Sequence, residues 1–400
     1  MSANDILRRA HYLALLLVLG YAVLLALLTI PAIQRELLFL HHVPIPLFPD
    51  YANPERYSLA PFKTRNLWLN TSDGEAIGAW HVLPRSVYGA LQPFPPRSEL
   101  DDNLFDEAFS QRPTIIYFHG NAGNRATSHR VRSYSAFSTN LDCNVLAIDY
   151  RGFGDSSGTP SEEGLLTDAR AAYDYVAQRV ARSSHTIRTK QKDTDIATAG
   201  EVKLEGEEGG TGRDGAEKNI VLVGQSLGTG VVSGLAGRLA QEGIYPRSLV
   251  LIAPFTSITE LLTSYRLFRF IPILGPLGHV PFVQRFFQSF LYHTFDSKAA
   301  LANTFSPTLL LHAINDHTIP HSHSDDLFNS LTLPTTADTN GPAASASTME
   351  AVSYEGWGTV RTVDRGQKGQ VIWWEGKNGG HDNLGWAEGT LDLIARIANL

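Results

Sequence analysis

The pentapeptide Gly224-Gln225-Ser226-Leu227-Gly228 constrains this 400-residue chain more than any other stretch. The apolar run Ile220 to Val223 stands directly before it and the helix-compatible run Thr229 to Gln241 directly after it. Strand, one-residue corner and helix form the setting in which a sheet presents a serine as a nucleophile, because the turn is too sharp for bulky neighbours. Gly224 and Gly228 supply the room. A second match, Gly154 to Gly158 around Ser156, lacks that setting. The strand-like run Asn144 to Tyr150 ends several residues earlier, and Thr159-Pro160 follows in place of a helix. Ser226 is the candidate nucleophile and Ser156 is not.

A serine hydroxyl needs a histidine to take its proton and a carboxylate to hold that histidine in the right tautomer. On a sheet of this kind the acid and then the histidine follow the serine in chain order. Asp316 suits the acid, since Leu309 to Ala313 reads as a buried strand and Ile314 to His317 as the loop at its carboxyl end. Asp325 and Asp326 are the substitutes. His381 suits the base: it follows Val371 to Glu375 through the loop Gly376 to Gly380, and no other histidine comes after His323. For the oxyanion, the backbone N–H groups of Leu227 and of Asn121, with Ala122 as the neighbouring option, are expected. His312, His317, His321 and His323 with Asp325 and Asp326 match no standard ligand spacing, so neither a metal nor a cofactor is expected.

Buried-strand runs at Thr114 to Phe118, Val145 to Tyr150, Ile220 to Val223, Leu249 to Ala253 and Thr308 to His312 alternate with helical stretches, which implies an α/β fold with a mostly parallel sheet. Thr64 to Leu69 and Glu75 to Leu83 flank Asp73-Gly74 and read as a hairpin. Glu350 to Glu355 and Gln370 to Glu375 are expected to pair around the polar stretch Arg361 to Lys368. The expected layout is a tail at 1–11, an apolar anchor at 12–33, a proline-rich connector at 34–60 and one catalytic domain at 61–400. That domain carries insertions at 85–112, 183–217 and 334–348 and an aromatic cap at 257–305, whose outer face, with Arg266, Arg269 and Arg285, suits a membrane interface. The insertion at 183–217 has no apolar period and is expected to be disordered.

Tyr12 to Ile33 carries no charged residue and is long enough to cross a bilayer. Arg8 and Arg9 before it, against Arg35 after it, place the N-terminus in the cytosol and the body on the far side. The sequon Asn70-Thr71-Ser72 would be usable there, which makes Asn70 a glycosylation candidate. A net charge of −7 and a pI near 6.0, without a basic stripe, exclude a nucleic-acid partner. The single cysteine, Cys143, forbids an internal disulfide and reads as a packing residue.

The stretches YFHGNAGNRATSHRV, DYRGFGDSSGTPSEEG, GQSLGTGV, LIAPFTSI and LLLHAINDHTIP, in this order, give a resemblance over most of residues 60 to 400. The chain resembles the membrane-anchored α/β-hydrolase domain-containing proteins, and most of all the group numbered twelve, the monoacylglycerol and lysophosphatidylserine lipases. Group thirteen shares the HGNAGN stretch. The resemblance implies an α/β-hydrolase fold with Ser226, Asp316 and His381 as nucleophile, acid and base. It also implies an endoplasmic-reticulum anchor, a lumenal catalytic domain and an ester substrate drawn from the membrane. Departures are the three insertions, Gln225 where a histidine is common, and Asn383 after His381. Other readings are a cytosol-facing protein depalmitoylase or thioesterase, which glycan occupancy at Asn70 would contradict, and a catalytically silent membrane scaffold.

Overall fold

The computed structural model describes residues 3–198, 215–264, 274–333 and 349–400. The insertion read at 334–348, residues 199–214 of the one read at 183–217, and residues 265–273 of the cap, with Arg266 and Arg269, lie outside them. The strands are β1 (Thr64–Asn70), β2 (Ala76–Val82), β3 (Thr114–Phe118), β4 (Asn144–Ile148), β5 (Ile220–Gln225), β6 (Ser248–Ile252), β7 (Thr308–Ala313), β8 (Met349–Tyr354), β9 (Gly358–Asp364) and β10 (Gln370–Gly376). They form one sheet in the order β1-β2-β4-β3-β5-β6-β7-β10-β9-β8. From β4 across to β10 every pairing is parallel, as expected.

Helices α1 (Ala3–Leu28), α2 (Pro31–Phe39), α3 (Arg85–Gly89), α4 (Asp102–Gln111), α5 (Ser128–Asn140), α6 (Glu162–Thr198), α7 (Leu227–Gln241), α8 (Ile258–Ser264), α9 (Pro281–Gln288), α10 (Ser297–Leu301), α11 (Ser322–Thr332) and α12 (Glu388–Ala398) complete the chain. Alternate side chains of a strand leave on opposite faces. Ile116, Leu222, Leu249 and Leu251 therefore enter one core with Val231 and Leu235 of α7. Ile115, Tyr117, Val221 and Val223 enter a second core with Tyr134 of α5 and Ile394 of α12. Each fully buried Leu, Ile or Val contributes about 1.5–3 kcal/mol. Covering both faces is what permits near-continuous apolar strands such as Ile220 to Val223.

Several readings change. The apolar run Tyr12 to Ile33 is divided: α1 ends at Leu28 and α2 begins at Pro31, because proline has no N–H to give the previous turn and clashes with it. The span 34–60 is therefore helical at its start, and Phe39 is fully buried in the first core. Residues 85–112 include α3 and α4, with Val87, Tyr88 and Phe105 in a satellite core. Helix α6 continues to Thr198, into the span expected to be disordered. The hairpin expected between Glu350 to Glu355 and Gln370 to Glu375 does not form, because β9 lies between β8 and β10 and pairs with both. Arg361, read as part of a polar loop, is a strand residue whose guanidinium lies 4.4 Å over the Trp373 ring and donates to Glu375 at 3.0 Å. The Thr64 to Leu83 hairpin forms as expected, with Gly74 at φ +92° in its turn.

Candidate active site

Ser226 stands between β5 and α7 with φ +52° and ψ −121°, a backbone state that costs a non-glycine residue about 1–3 kcal/mol. The surroundings hold it there: its N–H donates to the Ile252 carbonyl at 2.9 Å, and its own carbonyl accepts from the Thr229 N–H at 2.8 Å. A Cβ on Gly224 would run into the Gly228 carbonyl, and one on Gly228 into the Phe118 carbonyl, so both glycines are forced by close backbone approach. Ser156 is occupied otherwise. Its hydroxyl donates to the Asp149 carbonyl at 2.8 Å and accepts from the Gly78 N–H at 2.9 Å, which ties β2 to the turn after β4.

Asp316 lies in the loop after β7 and is buried. Its Oδ1 accepts from the N–H groups of Thr318 at 2.8 Å and Ile319 at 3.1 Å, and its Oδ2 from His381 Nδ1 at 2.7 Å. Burial alone would raise its pKa, but His312 and His381 donate toward the carboxylate and hold it well below the usual range. The converse acts on His381, where burial favours the neutral ring but the hydrogen bond and charge of Asp316 prevail and raise its pKa. Asp316 and His381 are thus brought together. No hydrogen bond joins His381 to Ser226 among the described residues, a gap common in unliganded sites that close on substrate.

Leu227 opens α7, so its N–H has no acceptor within the helix. In the loop after β3 the Ala122 N–H is committed to the Phe39 carbonyl at 2.9 Å, while the Asn121 N–H has no partner among the described residues. Of the two sequence candidates, Asn121 is the free one. Arg130 of α5 shapes this loop and was not singled out from sequence. Its guanidinium donates to the carbonyls of Gly120 at 3.3 Å, Asn121 at 3.1 Å, Ala122 at 2.9 Å and Asn124 at 3.1 Å. With those carbonyls turned toward Arg130, the loop's amides are left to face elsewhere. Gln225, noted only as a departure, is a bridge: Tyr117 Oη donates to its Oε1 at 2.5 Å and its Nε2 donates to the His381 carbonyl at 3.2 Å. No local pattern announces either role, because each partner is distant in the chain.

Two cavities meet here. An apolar one of about 310 Å³ is lined by Ser226, Leu227, Asn121 and leucines of α1 and α2, and a polar one of about 420 Å³ by Asn315, His381 and Asp382. Thr318 lines both. Of the histidines considered for metal binding, His312 donates to the Ile319 carbonyl at 3.0 Å and His323 Nδ1 pairs with Thr256 Oγ1 at 2.9 Å. Glu36, His41 and His42 do bring potential ligand atoms within 4.8 Å of one another, and His42 Nδ1 already donates to Glu36 at 2.9 Å. Asn70 is exposed at the end of β1.

The profile of the alpha/beta hydrolase family matches residues 115–392. The lysophosphatidylserine lipase ABHD12 of Danio rerio is 30% identical over 303 residues, which is 75% of this chain and 66% of that relative. The lysophosphatidylserine lipase ABHD12 of Xenopus tropicalis is 30% identical over 335 residues, 80% of this chain and 72% of that relative. An alpha-beta hydrolase structure from Vibrio vulnificus aligns at 17% identity and a TM-score of 0.42, covering 67% of this chain and 69% of that one.

Proposed function

The chain belongs to the alpha/beta hydrolase family, with ABHD12 lysophosphatidylserine lipases among its relatives, and from that premise we propose that it is a membrane-anchored serine hydrolase of lipid carboxylic esters. The observation that carries the reading is the placement of Ser226 in the apolar cavity next to a polar one. An acyl chain fits the first and the head group of a lysophospholipid or monoacylglycerol the second. In the proposed reaction His381 takes the Ser226 proton as Oγ attacks the ester carbonyl. The oxyanion is held by the N–H groups of Leu227 and Asn121. His381 then gives the proton to the departing glycerol oxygen, leaving an acyl-Ser226 ester that water cleaves by the same route. Asp316 keeps the imidazole in the tautomer that presents Nε2 to the serine.

Helix α1, whose most apolar 18-residue stretch has a mean hydropathy of 2.3, is long and apolar enough to cross a membrane. We read it as a single-pass anchor of the endoplasmic-reticulum membrane, with Arg8 and Arg9 on the cytosolic side and the body of the chain in the lumen. A fluorophosphonate probe should label the wild type and not Ser226→Ala, and the same variant should lose esterase activity. Labelling that survives in Ser226→Ala but disappears in Ser156→Ala would overturn the assignment.

A further inference from the structure

We propose that the anchor is itself part of the substrate site: the last turns of α1 and the apolar face of α2 form the wall that measures the acyl chain. One side of the apolar cavity belongs to the hydrolase body, with Ser226, Phe255 and Ile319. The other side belongs to the N-terminal helices, with Leu24 and Leu28 of α1 and Leu37 and Leu38 of α2. At 1.5 Å per residue, residues 12–28, the part of α1 beyond its charged first turns, extend about 26 Å, against a hydrocarbon core of about 30 Å. With Arg8 and Arg9 at the cytosolic face, Leu24 and Leu28 therefore lie at the far edge of the acyl region, where the body stands.

Among the described residues the contacts gather at that end. Leu15 to Leu17 face outward, whereas Leu28 is buried with Leu277 and Phe287. Gln34 of α2 fixes the junction, since its Nε2 donates to the carbonyls of Leu28 at 2.9 Å and Phe290 at 2.8 Å, and its Oε1 accepts from the Tyr292 N–H at 3.0 Å. The far end of α2 is fastened beside the nucleophile. The Leu38 carbonyl accepts from Asn121 Nδ2 at 3.3 Å, the Phe39 carbonyl from the Ala122 N–H at 2.9 Å, and the Val43 carbonyl from the Gly123 N–H at 2.9 Å. Hydrogen bonds to the body therefore set the distance from Leu24 and Leu28 to Ser226. A lipid entering from the bilayer passes along α1 with its carbonyl toward Ser226, and the leucines meet its chain. Leu24 and Leu28 are the specificity-determining positions.

The proposal rests on the reading of Ser226 as an ester-hydrolase nucleophile, and its test separates the two. Full-length wild type, Leu24→Trp, Leu28→Trp, Leu24→Ala and the outward-facing control Leu17→Trp are reconstituted in phosphatidylcholine vesicles, and fluorophosphonate labelling reports the folded fraction. The readout is the ratio of kcat/KM for p-nitrophenyl palmitate to that for p-nitrophenyl butyrate. Each methylene kept from apolar surface costs about fourfold, so the tryptophan variants should lower the ratio at least tenfold, roughly the loss of two methylenes. Leu24→Ala should raise the ratio for the longer arachidate ester, and Leu17→Trp should leave the ratio unchanged. Labelled Leu24→Trp and Leu28→Trp with the wild-type ratio would overturn the proposal alone. A wild type inert on every ester would overturn the hydrolase reading and this proposal with it.

Discussion

Replacing Arg130 with methionine removes the group that turns the loop between His119 and Asn124 while keeping most of the stem's volume. Four carbonyls, those of Gly120, Asn121, Ala122 and Asn124, lose a charged donor. A hydrogen bond to a charged group is worth about 1.5–3 kcal/mol. Three of these share Nη2 and do not add independently, so a stability loss of about 3–4 kcal/mol is expected rather than the full sum. The larger effect falls on chemistry. In the proposed mechanism, carbonyls free to turn would take the Asn121 N–H away from the developing oxyanion, and loss of one such donor lowers kcat by about 10²–10³. KM for a short ester should stay within a few-fold, because Arg130 lines neither cavity. The assay is steady-state hydrolysis of p-nitrophenyl butyrate by the full-length protein, with circular dichroism melting as the fold check. Arg130→Lys, which keeps the charge and some of the donors, should recover part of kcat. A folded Arg130→Met with wild-type kcat, or a defect in KM alone, would refute the reasoning.

Gln225→Ala should lower kcat about tenfold to a hundredfold by freeing the His381 loop. Tyr117→Phe should cost less, and the double variant should be no worse than Gln225→Ala if the three groups act as one bridge. Because Asp316 raises the His381 pKa above its ordinary value, kcat/KM should fall on the acid side with a midpoint above about 6.5; Asp316→Asn should cut kcat by about 10⁴, and a midpoint below that value would contradict the pairing. Burial pushes His81 down to about 3 and His293 to about 4. These folded values lie below the unfolded one, so the folded chain binds fewer protons and stability is complete only above about pH 6.5. Tm should fall from neutral pH to about pH 5, opposed only in part by His381, whose raised pKa stabilises the acid side; a flat profile would contradict this assignment. Endoglycosidase treatment should shift the mass of the cell-expressed protein and not that of Asn70→Gln; an unglycosylated wild type would contradict a lumenal body.

What the sequence disclosed was local. The elbow is legible because a corner of that sharpness must be written into adjacent residues, Gly224 and Gly228, and the mostly parallel sheet follows from apolar runs that only a doubly covered sheet tolerates. Asp316 and His381 stand out because chain order narrows each role to a few residues. Arg130, Gln225 and α2 were not legible, since each acts through partners brought near only by folding, such as Phe39 against Ala122. Strand β9 was missed because Arg361 breaks the apolar alternation, and only the Trp373 ring and Glu375 across the ladder make it acceptable there.

The backbone of Ser226 carries a further consequence, for descent rather than for chemistry. Its positive φ is a standing load on the fold, and glycine would relieve it for a net gain of about 1 kcal/mol after its own chain-entropy cost. On the proposed function, selection for turnover is what keeps serine at this corner. In a lineage where turnover ceased to matter, Ser226→Gly would be favoured as a stabilising change, so a glycine at this corner in a duplicate of the chain would mark retirement from catalysis and not damage to the fold.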